Sequence, residues 1–235
     1  MSVATSGLVV NRLLASLPPQ SRQRMLKRCE PVELSLGGVL CEAGEPIRYV
    51  YFPVRSYISM TAALENTASL EVRLIGNEGM LGVSLALGIN TSPLRALVQG
   101  AGSALRMPAA SFRSELEHSA VLRRGLGRYI YVMLAQLAQT AACACFHVVE
   151  ARLARCLLMT QDRAHANHFY VTHALLAQML GVRRSGITDA AGALQRKKLI
   201  RYSRGDITVL DRRGLEKASC ECYGAATACY QRFLG

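Results

Sequence analysis

Apolar and polar residues follow two different periods along this chain, and the change of period divides it. In the first half the apolar runs are short and rich in β-branched or aromatic residues. They are Val39-Leu40-Cys41, Tyr49-Val50-Tyr51-Phe52, Tyr57-Ile58-Ser59-Met60 and Leu70-Glu71-Val72-Arg73-Leu74-Ile75. Gly37-Gly38, Ala43-Gly44-Glu45-Pro46, Glu65-Asn66 and Gly76-Asn77-Glu78-Gly79 separate them with turn chemistry. Such runs predict an antiparallel β-sandwich or β-roll, after a short helical start from Leu13 to Arg28. From Ser119 the period lengthens. Leu122, Leu126, Ile130, Met133, Leu137 and Ala141 recur three or four apart, a packing seam of coiled-coil type. No Asp, Glu, Lys or Arg occurs from Tyr129 to Val149. A run of that length can span a bilayer. Gln136, Gln139, Thr140 and His147 argue against it, and a helix apolar on nearly all sides is one buried on several sides in protein. The pattern predicts a long helix that packs on its own domain and on a second subunit, with Leu126, Ile130, Met133 and Leu137 at the subunit seam. Between Cys143 and Val148 a new amphipathic helix begins, with Val149, Leu153, Leu157 and Leu158 set against Arg152, Arg155 and Arg163.

The next segment carries the sharpest signal. Val171 to Leu194 reads as a helix-turn-helix, the device that places a short helix in the DNA major groove. With His173 as its first position, Ala177 is fifth, where the two helices touch and the side chain must be small. Gly181 is ninth, where the turn needs positive φ. Ile187 is fifteenth and packs back on the first helix. Thr172 can cap that helix, although Leu175 rather than Glu or Gln sits three residues later. Two apolar runs follow, Leu199-Ile200-Arg201-Tyr202 and Ile207-Thr208-Val209-Leu210, joined by the turn Ser203-Arg204-Gly205-Asp206. Arg196, Lys197, Lys198, Arg201 and Arg204 crowd this hairpin, which makes it the wing of a winged helix. Thr172, Lys197, Lys198, Arg201 and Arg204 are the candidate phosphate contacts, which position a domain without reading sequence.

Charge supports this reading. The 235 residues carry a formal net charge of +12, an electrostatic footprint for a polyanion. From Val148 onward Lys and Arg outnumber Asp and Glu two to one. The chain is long enough for two domains with cores of their own. The organisation predicted is a β-roll over residues 1–118, a dimerisation helix and hinge over 119–146, and a winged helix-turn-helix over 147–235. The apolar run Gly7-Leu8-Val9-Val10 is broken by Asn11-Arg12 and makes no targeting peptide, so the location expected is cytoplasmic. Eight cysteines in a chain of this length read as buried thiols in a reducing compartment.

The order of β-roll, long helix and C-terminal winged helix resembles the Crp/Fnr transcription regulators across nearly the whole chain. The residues that carry the likeness are the Gly44-Glu45 turn before Tyr49-Val50-Tyr51-Phe52, the loop Gly76-Asn77-Glu78-Gly79-Met80-Leu81-Gly82, the helix start Glu150-Ala151-Arg152-Leu153-Ala154-Arg155, and the helix-turn-helix itself. The fold class implied is α+β, with a cyclic-nucleotide-binding-like roll. The resemblance implies a homodimer on a roughly palindromic double-stranded DNA site, with RNA polymerase as a further candidate partner and no membrane. Arg184 falls where cyclic-AMP-responsive members read guanine, and Arg can bond both O6 and N7 of that base. Ser185 stands in place of a Glu and Asp189 in place of an Arg. Arg183 and Thr188 join them as candidate base contacts. Asp189 has an equal alternative, an ion pair with a neighbouring Arg on its own helix.

The effector site departs from the family pattern. Members that bind a cyclic nucleotide use a Gly-Glu-Leu loop and an Arg followed by Ser or Thr. Here Glu78 is followed by Gly79-Met80, and the candidate cation Arg95 by Ala96. Glu78, Gly79, Arg95 and Ala96 are thus a degraded cassette, with a cyclic nucleotide the only cofactor candidate. Iron–sulfur members use an N-terminal Cys cluster, whereas Cys29 is the first Cys here. Cys143-x-Cys145 and Cys220-x-Cys222 have one residue between cysteines, where zinc sites prefer two or more. No metal site is therefore expected, and the five His do not suggest haem.

No GxSxG, HExxH or P-loop occurs, so no catalytic residue and no enzyme is expected. The competing reading is an effector-binding or redox-sensing module that acts mainly through protein contacts.

Overall fold

The computed structural model describes residues 11–62 and 70–234. The Glu65-Asn66 turn and the Gly7 to Val10 run lie outside them. The chain enters through two short helices, α1 (Arg12–Ala15) and α2 (Pro19–Arg28). A single helical start from Leu13 to Arg28 is not formed. Pro18 and Pro19 have no N–H to continue the first helix, and Pro19 instead opens the second at its first turn.

Seven strands follow: β1 (Glu30–Leu34), β2 (Val39–Cys41), β3 (Tyr49–Pro53), β4 (Tyr57–Ala62), β5 (Leu70–Ile75), β6 (Arg95–Gly100) and β7 (Gly102–Pro108). They form two antiparallel sheets, ordered β1-β7-β3 and β2-β6-β4-β5. The four predicted strands are present. β6 and β7 sit inside their sheets, and their apolar residues Ala96, Val98, Ala104 and Met107 are buried. Gly100 is required where the sheet is crossed by Tyr57, because a Cβ there would overlap the Tyr57 ring.

The helices that follow are α3 (Ala109–His118), α4 (Ala120–Phe146) and α5 (Val149–Ala164). Ser119 caps α4, its Oγ accepting the Leu122 N–H at 3.2 Å. The chain continues through β8 (His168–Tyr170), α6 (His173–Leu180), α7 (Arg184–Arg196), β9 (Ile200–Ser203), β10 (Asp206–Val209), α8 (Arg212–Ala218) and α9 (Cys222–Leu234). The first half of α4 lies in the same core as α1, β3 and α3, through Leu122, Leu126, Tyr129 and Val132. Tyr230 and Leu234 of α9 join that core, so the last helix packs where the first does.

Two expectations change. Leu126 is buried inside its own chain against α1 and β3, so it cannot meet a second subunit. The large apolar side chains that α4 leaves exposed lie further on and include Tyr131, Leu134, Leu137 and Phe146, with Ala138 and Ala141 in line with the two Leu. Arg155 and Arg163 do not form a solvent face of α5 but are buried. Arg155 donates to Thr140 Oγ1 at 3.0 Å, and Arg163 pairs with Glu78 at 2.8 Å. They dock α5 on α4 and on the β-roll. By length and composition α4 could cross a membrane. Its first half is nonetheless packed in the protein core, where the Tyr129 hydroxyl accepts the Met80 N–H at 2.8 Å.

Candidate nucleic-acid interface

The C-terminal core is built on α5. Leu153, Leu157 and Leu158 pack against Leu176, Ala177, Ile187, Leu194, Ile200, Ile207 and Val209. This cluster holds the two short helices at a set angle. Thr172 Oγ1 accepts the Leu175 N–H at 3.2 Å and so starts α6. Gly181 ends it at φ +61°, with its N–H turned back toward Ala177 and Gln178. Ala177 lies between the helices and Ile187 is fully buried. α7 then leaves its N-terminal turns in solvent. Arg183, Arg184, Ser185, Thr188 and Asp189 are all exposed on them.

The first turn of α7 has no acidic residue, and two Arg stand at its start. Cations at the positive end of a helix dipole are unfavourable by about 0.3–1 kcal/mol each. An anion brought to that end, such as a phosphate, reverses the sign. Thr188 is less free than it reads in sequence. Its Oγ1 donates to the Arg184 carbonyl at 3.2 Å and lies 3.1 Å from His173 Nδ1. His173 stacks on Tyr202 at 4.1 Å between centroids. Burial, and then the Arg184 charge, lower the His173 pKa, so the ring that braces α7 against β9 is neutral near pH 7. Asp189 is in no ion pair among the described residues, so its pairing alternative is not formed.

The wing is a tight hairpin. Arg204 at φ +50° and Gly205 at φ +97° form its two-residue turn, the geometry of a type I′ hairpin. β8 adds a third strand, in the order β8-β10-β9. Its three residues are too few to show alternation in sequence. Lys198, Arg201 and Arg204 are exposed. Lys197 is drawn away to Glu150 at 2.6 Å, and the Thr172 hydroxyl is the α6 cap.

The four cassette residues do not converge. Arg95 pairs with Glu42 at 3.1 Å on the outside of the roll, and Ala96 is buried in it. Glu78 faces α5 through Arg163. Gly79 lies directly under the Tyr129 hydroxyl, which leaves no room for a Cβ. The roll's large cavity, about 470 Å³, is elsewhere, between the sheets and α4. Its walls are mostly apolar, including Met60, Ile75, Leu94, Ile130 and Met133, with the Arg73 guanidinium beside them. Ile130 and Met133 thus face this cavity as well as along α4, and the exposed Leu134 and Leu137 lie at its rim.

This architecture joins a β-roll to a winged helix-turn-helix through one long helix. Residues 151–218 match the Crp-like helix-turn-helix domain. A search of curated proteins finds no match. A transcriptional regulator of the Crp/Fnr family from Eubacterium rectale superimposes with a TM-score of 0.68 at 16% identity, over 88% of this chain and 96% of that one. A Crp/Fnr regulator from Thermus thermophilus gives 0.67 at 22% identity, over 81% and 98%. The c-di-GMP-responsive global regulator of Xanthomonas campestris gives 0.66 at 15% identity, over 82% and 99%. The chain carries a Crp-like helix-turn-helix domain on the fold of the Crp/Fnr transcription regulators.

Proposed function

We propose that this protein is a cytoplasmic homodimer that binds a roughly palindromic DNA site and regulates transcription there, with RNA polymerase as a candidate partner. The observation that carries the proposal is the exposed start of α7. It presents Arg183, Arg184, Ser185, Thr188 and Asp189 together, on a helix held by a dedicated core and flanked by wing cations. Arg184 is the main base reader. Arg201 and Arg204, with Lys198, contact phosphates. The uncovered apolar stripe of α4 around Leu134 and Leu137 is the dimer contact and sets the spacing of the two α7 helices.

Selection of bound sequences from random duplex DNA tests this directly. One two-fold-symmetric motif should be enriched, and affinity should fall with salt at a log–log slope of about −0.9 per phosphate neutralised. Equal retention of all sequences, with no salt dependence, supports the module that acts through protein contacts instead.

Effector control is proposed through the roll cavity rather than through the cassette residues. Arg95 and Glu78 are already paired, each with a different partner, and neither lines the cavity. Cyclic AMP therefore gains little differential affinity between two states of the protein. Calorimetry with cyclic AMP should show no heat at micromolar concentration, and DNA affinity should be unchanged. Micromolar binding lost in Arg95→Ala overturns this.

A further inference from the structure

Three segments distant in sequence meet at the hinge end of α4. Cys143 lies in the last turn of α4 and His147 in the link to α5. Cys220 and Cys222 lie between α8 and α9 and at the start of α9. Three Sγ atoms and one imidazole nitrogen all lie within 4.8 Å of one another. Cys143 Sγ and Cys220 Sγ are 3.5 Å apart, and Cys222 Sγ is 3.5 Å from His147 Nδ1. Cys143, Cys220 and Cys222 are buried, with only Ala151 packed against them as an apolar neighbour among the described residues.

We propose that these four residues form a mononuclear, tetrahedral Cys3His zinc site. Zn–S bonds of about 2.3 Å and a Zn–N bond of about 2.0–2.1 Å place tetrahedral ligand atoms about 3.5–3.8 Å apart. The Cys222–His147 contact is at that spacing, and the Cys143–Cys220 contact is a few tenths of an ångström inside it, before any adjustment. The donors are thiolates and imidazole, which suit Zn²⁺ and not Mg²⁺ or Ca²⁺. The surrounding groups match a metal's outer shell. His147 Nε2 is 3.1 Å from Glu221 Oε1, so the carboxylate accepts the Nε2 proton and leaves Nδ1 as the ligand atom. Gln139 Nε2 donates to Cys222 Sγ at 3.0 Å, a bond that supports a thiolate. Neither contact is needed by idle thiols.

The spacing argument against zinc fails here for a topological reason. Cys145 is exposed and takes no part, while the ligand spacing at the end of α4 is Cys143-x-x-x-His147, with the His147 N–H closing the last turn on the Cys143 carbonyl. The second pair comes from a segment far along the chain, because α9 packs back on α4. A zinc ion at this point ties α4, the link to α5 and α9 into one joint. It holds the helix-turn-helix domain at a set angle to α4, and occupancy is thereby linked to DNA affinity.

Full-length protein purified under reducing conditions should contain one zinc per chain. Titration of the metal-stripped protein with Co²⁺ should give thiolate-to-cobalt charge-transfer bands and the strong visible absorption of tetrahedral cobalt at one equivalent. Cys143→Ser and Cys222→Ser should lose these bands, Cys145→Ser should keep them, and Glu221→Gln should weaken zinc binding by about 10–100-fold. The wild-type titration decides the matter even where a Cys variant does not fold. No cobalt–thiolate band in wild-type protein overturns the proposal, as does a Cys143–Cys220 disulfide in the protein purified under reducing conditions.

Discussion

Leu134→Glu should convert the protein to a monomer and lower its affinity for a two-half-site DNA by about 100-fold or more, the gain that linking two modules supplies. Leu134 is 61% exposed in the single chain, so the substitution leaves the chain's own core intact. In a dimer joined along α4 the new carboxylate is buried without a partner, at a cost of several kcal/mol per subunit. A monomer then binds one half-site, without the high effective concentration that the first contact gives the second. Leu126→Glu is the contrasting variant. It puts the charge in the chain's own core and should unfold the β-roll rather than split a dimer. Sedimentation and thermal melting separate the two effects. A Leu134→Glu protein that still sediments as a dimer at micromolar concentration would falsify the assignment of this stripe to the subunit contact.

Arg184→Ala should cost about 1–3 kcal/mol per half-site and relax the preference at one base pair in each. A symmetric dimer carries the change twice, so the full site loses about 2–6 kcal/mol if the two halves add. Arg184 stands exposed in the first turn of α7, with its backbone carbonyl held by Thr188. Truncation therefore removes a reading group without loosening the helix. Arg204→Ala, at the wing tip, should weaken all sequences alike and flatten the salt dependence by about one contact per subunit. Repeating the selection with each variant distinguishes the roles. An unchanged motif for Arg184→Ala means that another residue, Arg183 or Ser185, reads that base.

The helix-turn-helix was legible because its rules are local. A small residue at Ala177, positive φ at Gly181 and a branched apolar side chain at Ile187 are all demands made within one or two helical turns. The wing was legible for the same reason, since the strands on either side of Arg204-Gly205 are neighbours in sequence. The central strands β6 and β7 were not, because their character comes from partners up to tens of residues away. Glu30 faces Arg106 and Tyr57 faces Gly100 only once the sheets exist.

The amino-acid pattern was enough for a β-rich first half, one long helix, and a helix-turn-helix with its wing, in that order. Periodicity and turn chemistry act between near neighbours, and those interactions survive in any packing. Tertiary structure alone decided which way each ambiguous surface faced. α4 is apolar nearly all round, so only the positions of α1, β3 and α9 determine that Leu126 enters the chain's own core while Leu134 stays exposed at the rim of the roll cavity. Arg163 has the pattern of a solvent-facing cation until Glu78 arrives from the β-roll to accept it. Arg95 and Glu78 read as parts of one cassette until the fold gives each its own partner. Cys143 and His147 come together with Cys220 and Cys222 only because the last helix returns to α4. A charge or a thiol takes its role from whatever lies within a few ångströms, and for these residues that partner is supplied by long-range packing.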